Sequence, residues 1–160
     1  MTGEKSPQSD NVKDANFRFL HANADGYITR SALITAEISL LEKKPQIVML
    51  NETKTDKADP MAPEGYLLLY RKDRLKGGGG IAIFARFDIS LRCSVIEESE
   101  DERCWILIHS GLGPILGCCW YRPPVQGESA SMDRFKHEHD KRLNGQTWAM
   151  GLSMIVKPCR

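Results

Sequence analysis

Glu52 ends the run Ile47-Val48-Met49-Leu50-Asn51-Glu52. Four apolar residues in succession read as a strand buried on both faces. An acid just beyond such a strand lies where open α/β sheets place their reacting groups. The plainer alternative is a carboxylate in solvent. Asn23 sits in Asn23-Ala24-Asp25-Gly26. It reads either as a turn residue or as an amide held at a strand end to orient a ligand. Arg71-Lys72-Asp73-Arg74-Leu75-Lys76 concentrates basic side chains that suit phosphate contacts, with a solvated loop as the alternative.

Other stretches imitate chemistry without supporting it. Gly77 to Gly80 is not a phosphate loop, because no Lys-Ser or Lys-Thr follows and the glycines lead into a strand. They predict a hairpin connection between Tyr66–Arg71 and Ile81–Arg86, with positive φ angles that glycine adopts freely. His137-Glu138-His139-Asp140 resembles a metal cluster, but positions i and i+2 of a helix point to different sides, so it predicts a polar face. The run Glu97 to Glu102 predicts an exposed acidic turn.

The elements that must position these groups follow from punctuation and period. Residues 1–15 are polar and rich in turn formers, a disordered lead. Phe17 to His21 suits a first strand. Thr29 to Lys44 carries Leu33, Ile34, Ala36, Ile38, Leu40 and Leu41 at helical spacing, with Thr29 or Ser31 as a cap and Pro45 as the stop. Further strands fall at Tyr66–Tyr70, Ile81–Ala85, Ile89–Val95, Arg103–His109 and Ile115–Tyr121, five in succession, which predicts an antiparallel meander after the α/β start. Arg122-Pro123-Pro124 closes the last of them. Ser131 to Leu143 reads as a helix with Met132, Phe135 and Leu143 on one face, stopped by Asn144-Gly145. Met154-Ile155-Val156 suits the start of one more strand.

The chain as a whole narrows the choice. Its 160 residues fit one domain with a real core. Net charge is +1, so any polyanion site must be local rather than global. The start has no apolar signal core, and no apolar run approaches membrane-spanning length. The five cysteines are odd in number, include the adjacent pair Cys118-Cys119 and form no CxxC, which predicts reduced thiols in the cytoplasm or nucleus. The histidines do not reach metal-ligand spacing with them.

Three pieces in order resemble the endonuclease/exonuclease/phosphatase family. They are His21-Ala22-Asn23-Ala24-Asp25-Gly26, then Ile47 to Lys54, then Trp120-Tyr121-Arg122-Pro123-Pro124. Gly77-Gly78-Gly79-Gly80-Ile81-Ala82-Ile83 between the last two is similar to the glycine-led strand of the endonuclease domains of non-LTR retrotransposons, which precede a reverse transcriptase. The likeness runs from about Asn16 to Pro124.

It implies an α+β protein with the DNase I-like α/β sandwich, mostly antiparallel sheet with flanking helices, present as roughly its first half. Residues 16–128 would be that part of the domain and 129–160 a divergent helical tail. It implies Mg²⁺-dependent hydrolysis of phosphodiester bonds, with DNA as partner and no membrane. Glu52 would be a metal ligand, Asn23 would orient the phosphate or a metal-bound water, and Tyr121 would approach the scissile phosphate. Arg71, Arg74, Lys76 and Arg122 would contact the nucleic acid. A hard oxygen-seeking ion suits a carboxylate ligand.

The family also uses a Gly-Asp-x-Asn run and a Ser-Asp-His run, and this sequence has neither. The expectation is therefore a truncated or frameshifted retrotransposon reading frame without turnover of its own. The competing readings are a non-enzymatic nucleic-acid-binding module or relic, and a family member acting on small phosphoesters.

Overall fold

The computed structural model describes residues 17–55, 60–74, 78–99, 101–111, 113–121 and 129–143. Within them β1 (Phe19–Asn23), α1 (Tyr27–Leu40) and β2 (Ile47–Asn51) form a strand–helix–strand unit whose two strands pair in parallel. β3 (Tyr66–Lys72) and β4 (Ile81–Arg86) form an antiparallel hairpin, and β4 lies against β2. This gives a first sheet in the order β1-β2-β4-β3. A single 3₁₀ turn at Ser90–Arg92 then carries the chain to a second sheet. That sheet is the antiparallel meander β5 (Cys93–Glu98), β6 (Arg103–Ser110) and β7 (Gly113–Trp120). The last described element is α2 (Ser129–Leu143).

Strand alternation sorts the core into layers. On β2 and β4, Val48, Leu50, Ala82 and Phe84 point to α1, where Tyr27, Ile34 and Ile38 meet them. Their neighbours Ile47, Met49, Ile81, Ile83 and Ala85 point the other way, onto Cys104, Ile106, Ile108, Ile115 and Cys119 of the second sheet. The outer face of that second sheet carries Trp105 and Trp120, and Phe135 of α2 stacks on both rings, at 5.6 and 4.9 Å between centroids. The order is thus helix, sheet, sheet, helix. Both faces of β2 are covered, as its unbroken apolar run requires.

Several elements differ from their sequence expectations. β1 starts and ends two residues later than Phe17–His21, so Asn23 closes a strand instead of lying in a turn. The first helix spans Tyr27–Leu40, not Thr29–Lys44: Gly26, at φ 93°, turns the chain into it, and Leu41 is already extended at ψ 127°. Thr29 and Ser31 do not cap it. Their hydroxyls donate back to the carbonyls of Gly26 and Ile28 from inside the first turns. Only part of the apolar stripe is used, since Leu33 and Leu40 are exposed.

The five later strands form no single meander. The turn at Ser90–Arg92 occupies the start of the expected strand Ile89–Val95 and divides them between two sheets.

The acidic run is not a free turn either. Glu97 and Glu98 extend β5, while Asp101 pairs with Arg103 and Arg134, and Glu102 accepts the Gly80 N–H. Nor is His137–Asp140 a plain polar face. Glu138 points inward, and both its oxygens accept bonds from the fully buried Arg103 at 2.8 Å. Met132 is half exposed although its helix partner Phe135 is packed.

Candidate functional site

The parallel pairing of β1 and β2 sets Asn23 directly beside Asn51. It continues past the strand ends as a backbone zipper. The N–H groups of Ala24, Gly26 and Tyr27 donate to the carbonyls of Asn51, Glu52 and Thr53, at 2.8, 2.9 and 2.9 Å. The Glu52 backbone is thereby held on one side by the turn into α1. On the other side the glycine loop reaches it: Thr53 and Lys54 donate to the carbonyls of Gly80 and Gly79, at 3.4 and 3.1 Å. Gly80 lies at φ +89°, and a Cβ there would sit 2.5 Å from the Thr53 hydroxyl oxygen. The glycines therefore let two backbones approach closely. Between these supports Glu52 and Lys54 adopt left-handed φ angles of 51° and 50°.

Tyr121 arrives from the second sheet. Ile115, Gly117 and Cys119 alternate toward the first sheet, and Tyr121 continues that parity one step beyond β7. Its hydroxyl donates to Glu52 Oε1 at 2.9 Å. Its backbone N–H donates to the Glu102 carbonyl at 2.8 Å. Asn51 faces the same inter-sheet space. Its Nδ2 donates to the Trp120 carbonyl at 3.1 Å, and the Cys119 thiol donates to its Oδ1 at 3.5 Å. Burial holds the His21 pKa below its ordinary value, the Asn51 side chain opposing that shift.

The three residues expected to do chemistry meet at one end of the sandwich. Asn23 lies at the end of β1, Glu52 follows β2, and Tyr121 follows β7. The Asn23 Oδ1 accepts the Asp25 N–H at 2.9 Å, so its amide also organises the turn. The expected nucleic-acid contacts are placed less evenly. Arg71 bonds Asp73 through Nε at 2.7 Å and Nη2 at 2.6 Å, and donates to the Thr55 carbonyl at 3.0 Å. Arg74 is half exposed and lies 4.0 Å from Glu102. Lys76 and Arg122 lie outside the described residues.

Three residues at this end were not candidates from the sequence. Asn51 is one. Asp25 and Lys54 are the others, joined at 2.6 Å, with Arg30 3.3 Å from the second Asp25 oxygen. The Lys54 hydrogen bond, Lys54 charge and Arg30 charge hold the Asp25 carboxyl below the usual carboxylate range. The same bond raises the Lys54 pKa, against some desolvation. Asp25 and Gly26 read only as turn formers in the sequence, and nothing local ties Asp25 to Lys54. Among the described residues no three His, Cys, Asp or Glu side chains gather as a metal cluster. No helix among them is long and apolar enough to cross a membrane.

No protein-family model and no curated protein sequence matches the chain. Solved structures do. The endonuclease domain of TRAS1, a telomere-specific non-LTR retrotransposon, superposes with a TM-score of 0.57 at 17% identity, over 78% of this chain and 54% of that one. The 3′ phosphatase NExo from Neisseria, bound to a product DNA hairpin, matches at 17% identity over 78% of this chain and 48% of its own, with a TM-score of 0.45. The chain thus spans about half the length of each of these two structures. At this identity the likeness is one of fold: the chain builds part of a DNase I-like α/β sandwich, the architecture it shares with the TRAS1 endonuclease domain.

Proposed function

We propose that this chain carries the metal-ligand end of a phosphodiester-hydrolysing site of the endonuclease/exonuclease/phosphatase type, acting on nucleic acid. We further propose that the chain has no turnover alone. The observation that carries the reading is the Tyr121 hydroxyl on Glu52 Oε1, which joins the ends of β2 and β7 beside Asn23.

The donors at this end suit Mg²⁺. Glu52 offers a carboxylate, with the Asn23 amide and Tyr121 phenol as further oxygen groups nearby. The described cysteines Cys104 and Cys119 are buried in the core between the sheets. Mg²⁺ takes one or two protein carboxylates and completes its shell with water and phosphate oxygens. Glu52 would be the ligand, and the ion would polarise a phosphoryl oxygen and stabilise the charge that develops there. Tyr121 holds Glu52 through its hydroxyl. Asn23 fixes the turn from β1 into α1. Lys54, bonded to Asp25, sets a positive charge beside the carboxylates.

The absence of turnover rests on the chain's own residues. These 160 residues include neither a Gly-Asp-x-Asn run nor a Ser-Asp-His run. Without a group to activate water, most of the rate enhancement of such a catalytic unit is lost.

Two measurements on purified chain test this. Mn²⁺ added in place of Mg²⁺ should broaden the Tyr121 ring resonances, and Glu52→Ala should abolish the broadening. Equal broadening in both proteins removes Glu52 from the metal site. Supercoiled plasmid with Mg²⁺ should remain uncut by wild type and by Glu52→Ala. Nicking that depends on Glu52 overturns the inactivity. Salt-sensitive plasmid binding without nicking or metal broadening favours a binding module instead.

A further inference from the structure

Two consecutive residues of β2 and its exit loop reach two consecutive residues at the end of β7. Asn51 Nδ2 donates to the Trp120 carbonyl at 3.1 Å, and the next residue, Glu52, receives the Tyr121 hydroxyl at 2.9 Å. We infer that Asn51 is a positioning residue for the site: by gripping the Trp120 carbonyl it sets the height of β7 relative to β2 and so brings the Tyr121 hydroxyl onto Glu52.

The pieces that make this a device are all in place. The two strands belong to different sheets, so no backbone ladder fixes their relative height. What lies between them is apolar packing, chiefly Met49 and Ile106 around Gly117, and such contacts are non-directional. A hydrogen bond from a side chain to a backbone carbonyl supplies the missing direction. The amide itself is oriented from a second side, where the Cys119 thiol donates to Oδ1 at 3.5 Å. With Oδ1 taken as acceptor, Nδ2 is left to face the carbonyl, so the amide has one sensible flip. Strands β2 and β7 thereby meet at one amide immediately before the site carboxylate. The inference rests on the proposed role of Glu52, but its geometry is measurable without metal, substrate or turnover.

The experiment uses tyrosine labelled at Cζ, whose ¹³C shift reports what the phenol hydroxyl is bonded to. The chain has four tyrosines, and Tyr121→Phe assigns the resonance of interest. Glu52→Ala should move that resonance by removing the acceptor. Asn51→Ala should move it in the same sense while the Tyr27, Tyr66 and Tyr70 resonances keep their wild-type positions. Asn51→Asp keeps the shape and the acceptor oxygens but cannot donate to the Trp120 carbonyl, so it should act alike.

A Tyr121 resonance unmoved in both Asn51 variants, but moved in Glu52→Ala, overturns the positioning role. Collapse of all four resonances together in both Asn51 variants also overturns it, in favour of a purely structural part. If Glu52→Ala itself leaves the Tyr121 resonance in place, the bond at the base of the functional reading is absent, and both proposals fall.

Discussion

Glu138→Ala should destabilise the chain by about 3 kcal/mol, because it strips the main counterion from a buried guanidinium. Arg103 is fully buried on the outer face of the second sheet. Glu138 reaches it from α2 with a two-pronged contact, to Nε and Nη2 at 2.8 Å each. The same carboxylate accepts the Trp105 indole N–H at 2.7 Å and the Ser99 hydroxyl at 3.0 Å. Breaking a buried pair from one side costs about 3–5 kcal/mol. Asp101 stays 3.3 Å from Arg103 and keeps part of the charge matched, which argues for the lower end.

At roughly 2–4 °C per kcal/mol for a chain of this size, the midpoint should fall by about 6–12 °C. Thermal and urea unfolding followed by far-UV circular dichroism measure this. Asp133→Ala on the exposed face of α2 serves as control, with a change within about 0.5 kcal/mol.

Acid should act in the same direction. Burial raises the Glu138 pKa, but the bonds from Arg103 and Trp105 outweigh it and the net shift is downward. Asp101 is lowered chiefly by its bond from Arg134. Carboxylates with depressed folded pKa values stabilise above their unfolded values, near 4, and lose that contribution as pH falls through the folded ones. Glu138→Ala should thus lose part of the acid sensitivity as well. A change below about 1 kcal/mol would refute the reasoning, since surface ion pairs are worth no more than that.

Three further outcomes follow from the packing. His21 is held neutral by burial, so the unfolded chain takes up a proton first; stability should fall as pH drops below about 6.5. His21→Asn should flatten that dependence in urea titrations at pH 7 and pH 5. Burial raises the thiol of Cys93 to about 11 and those of Cys118 and Cys119 further, so the described thiols should resist a thiol reagent at pH 8 until urea unfolds the chain. Rapid reaction of more than one of the five cysteines in native protein contradicts this. Gly117→Val should cost about 1–3 kcal/mol by overpacking, because even a Cβ would lie 3.0 Å from Ile106 and 3.3 Å from Met49. Circular dichroism melts of the variant check it.

What the sequence disclosed was local, and what it concealed depends on partners far along the chain. The apolar run Ile47–Leu50 announces a strand covered on both faces because its composition alone demands it. The hairpin of β3 and β4 is marked in the sequence by glycines between two apolar runs. Nothing in the alternation of the later strands says which sheet each joins, and three residues of 3₁₀ turn at Ser90–Arg92 decide it. Glu138 has the neighbours of a solvated helix face, and its partner Arg103 lies 35 residues earlier. Asn51 is hidden in the same way. A polar residue after a buried strand invites attention to the acid beside it, while its own contacts are on a strand 69 residues away.

The backbone at Glu52 carries a consequence for how this position tolerates change. Its φ of 51° lies in the left-handed region that a side chain disfavours by roughly 1–2 kcal/mol. Glycine would relieve that strain, offset by about 0.4–1 kcal/mol from the greater freedom it gives the unfolded chain. Losing the acceptor of the Tyr121 hydroxyl costs about 0.5–1.5 kcal/mol more, so Glu52→Gly should leave thermal stability close to wild type while removing the carboxylate. A screen for robustness would accept glycine at this position, and a screen for metal binding would reject it.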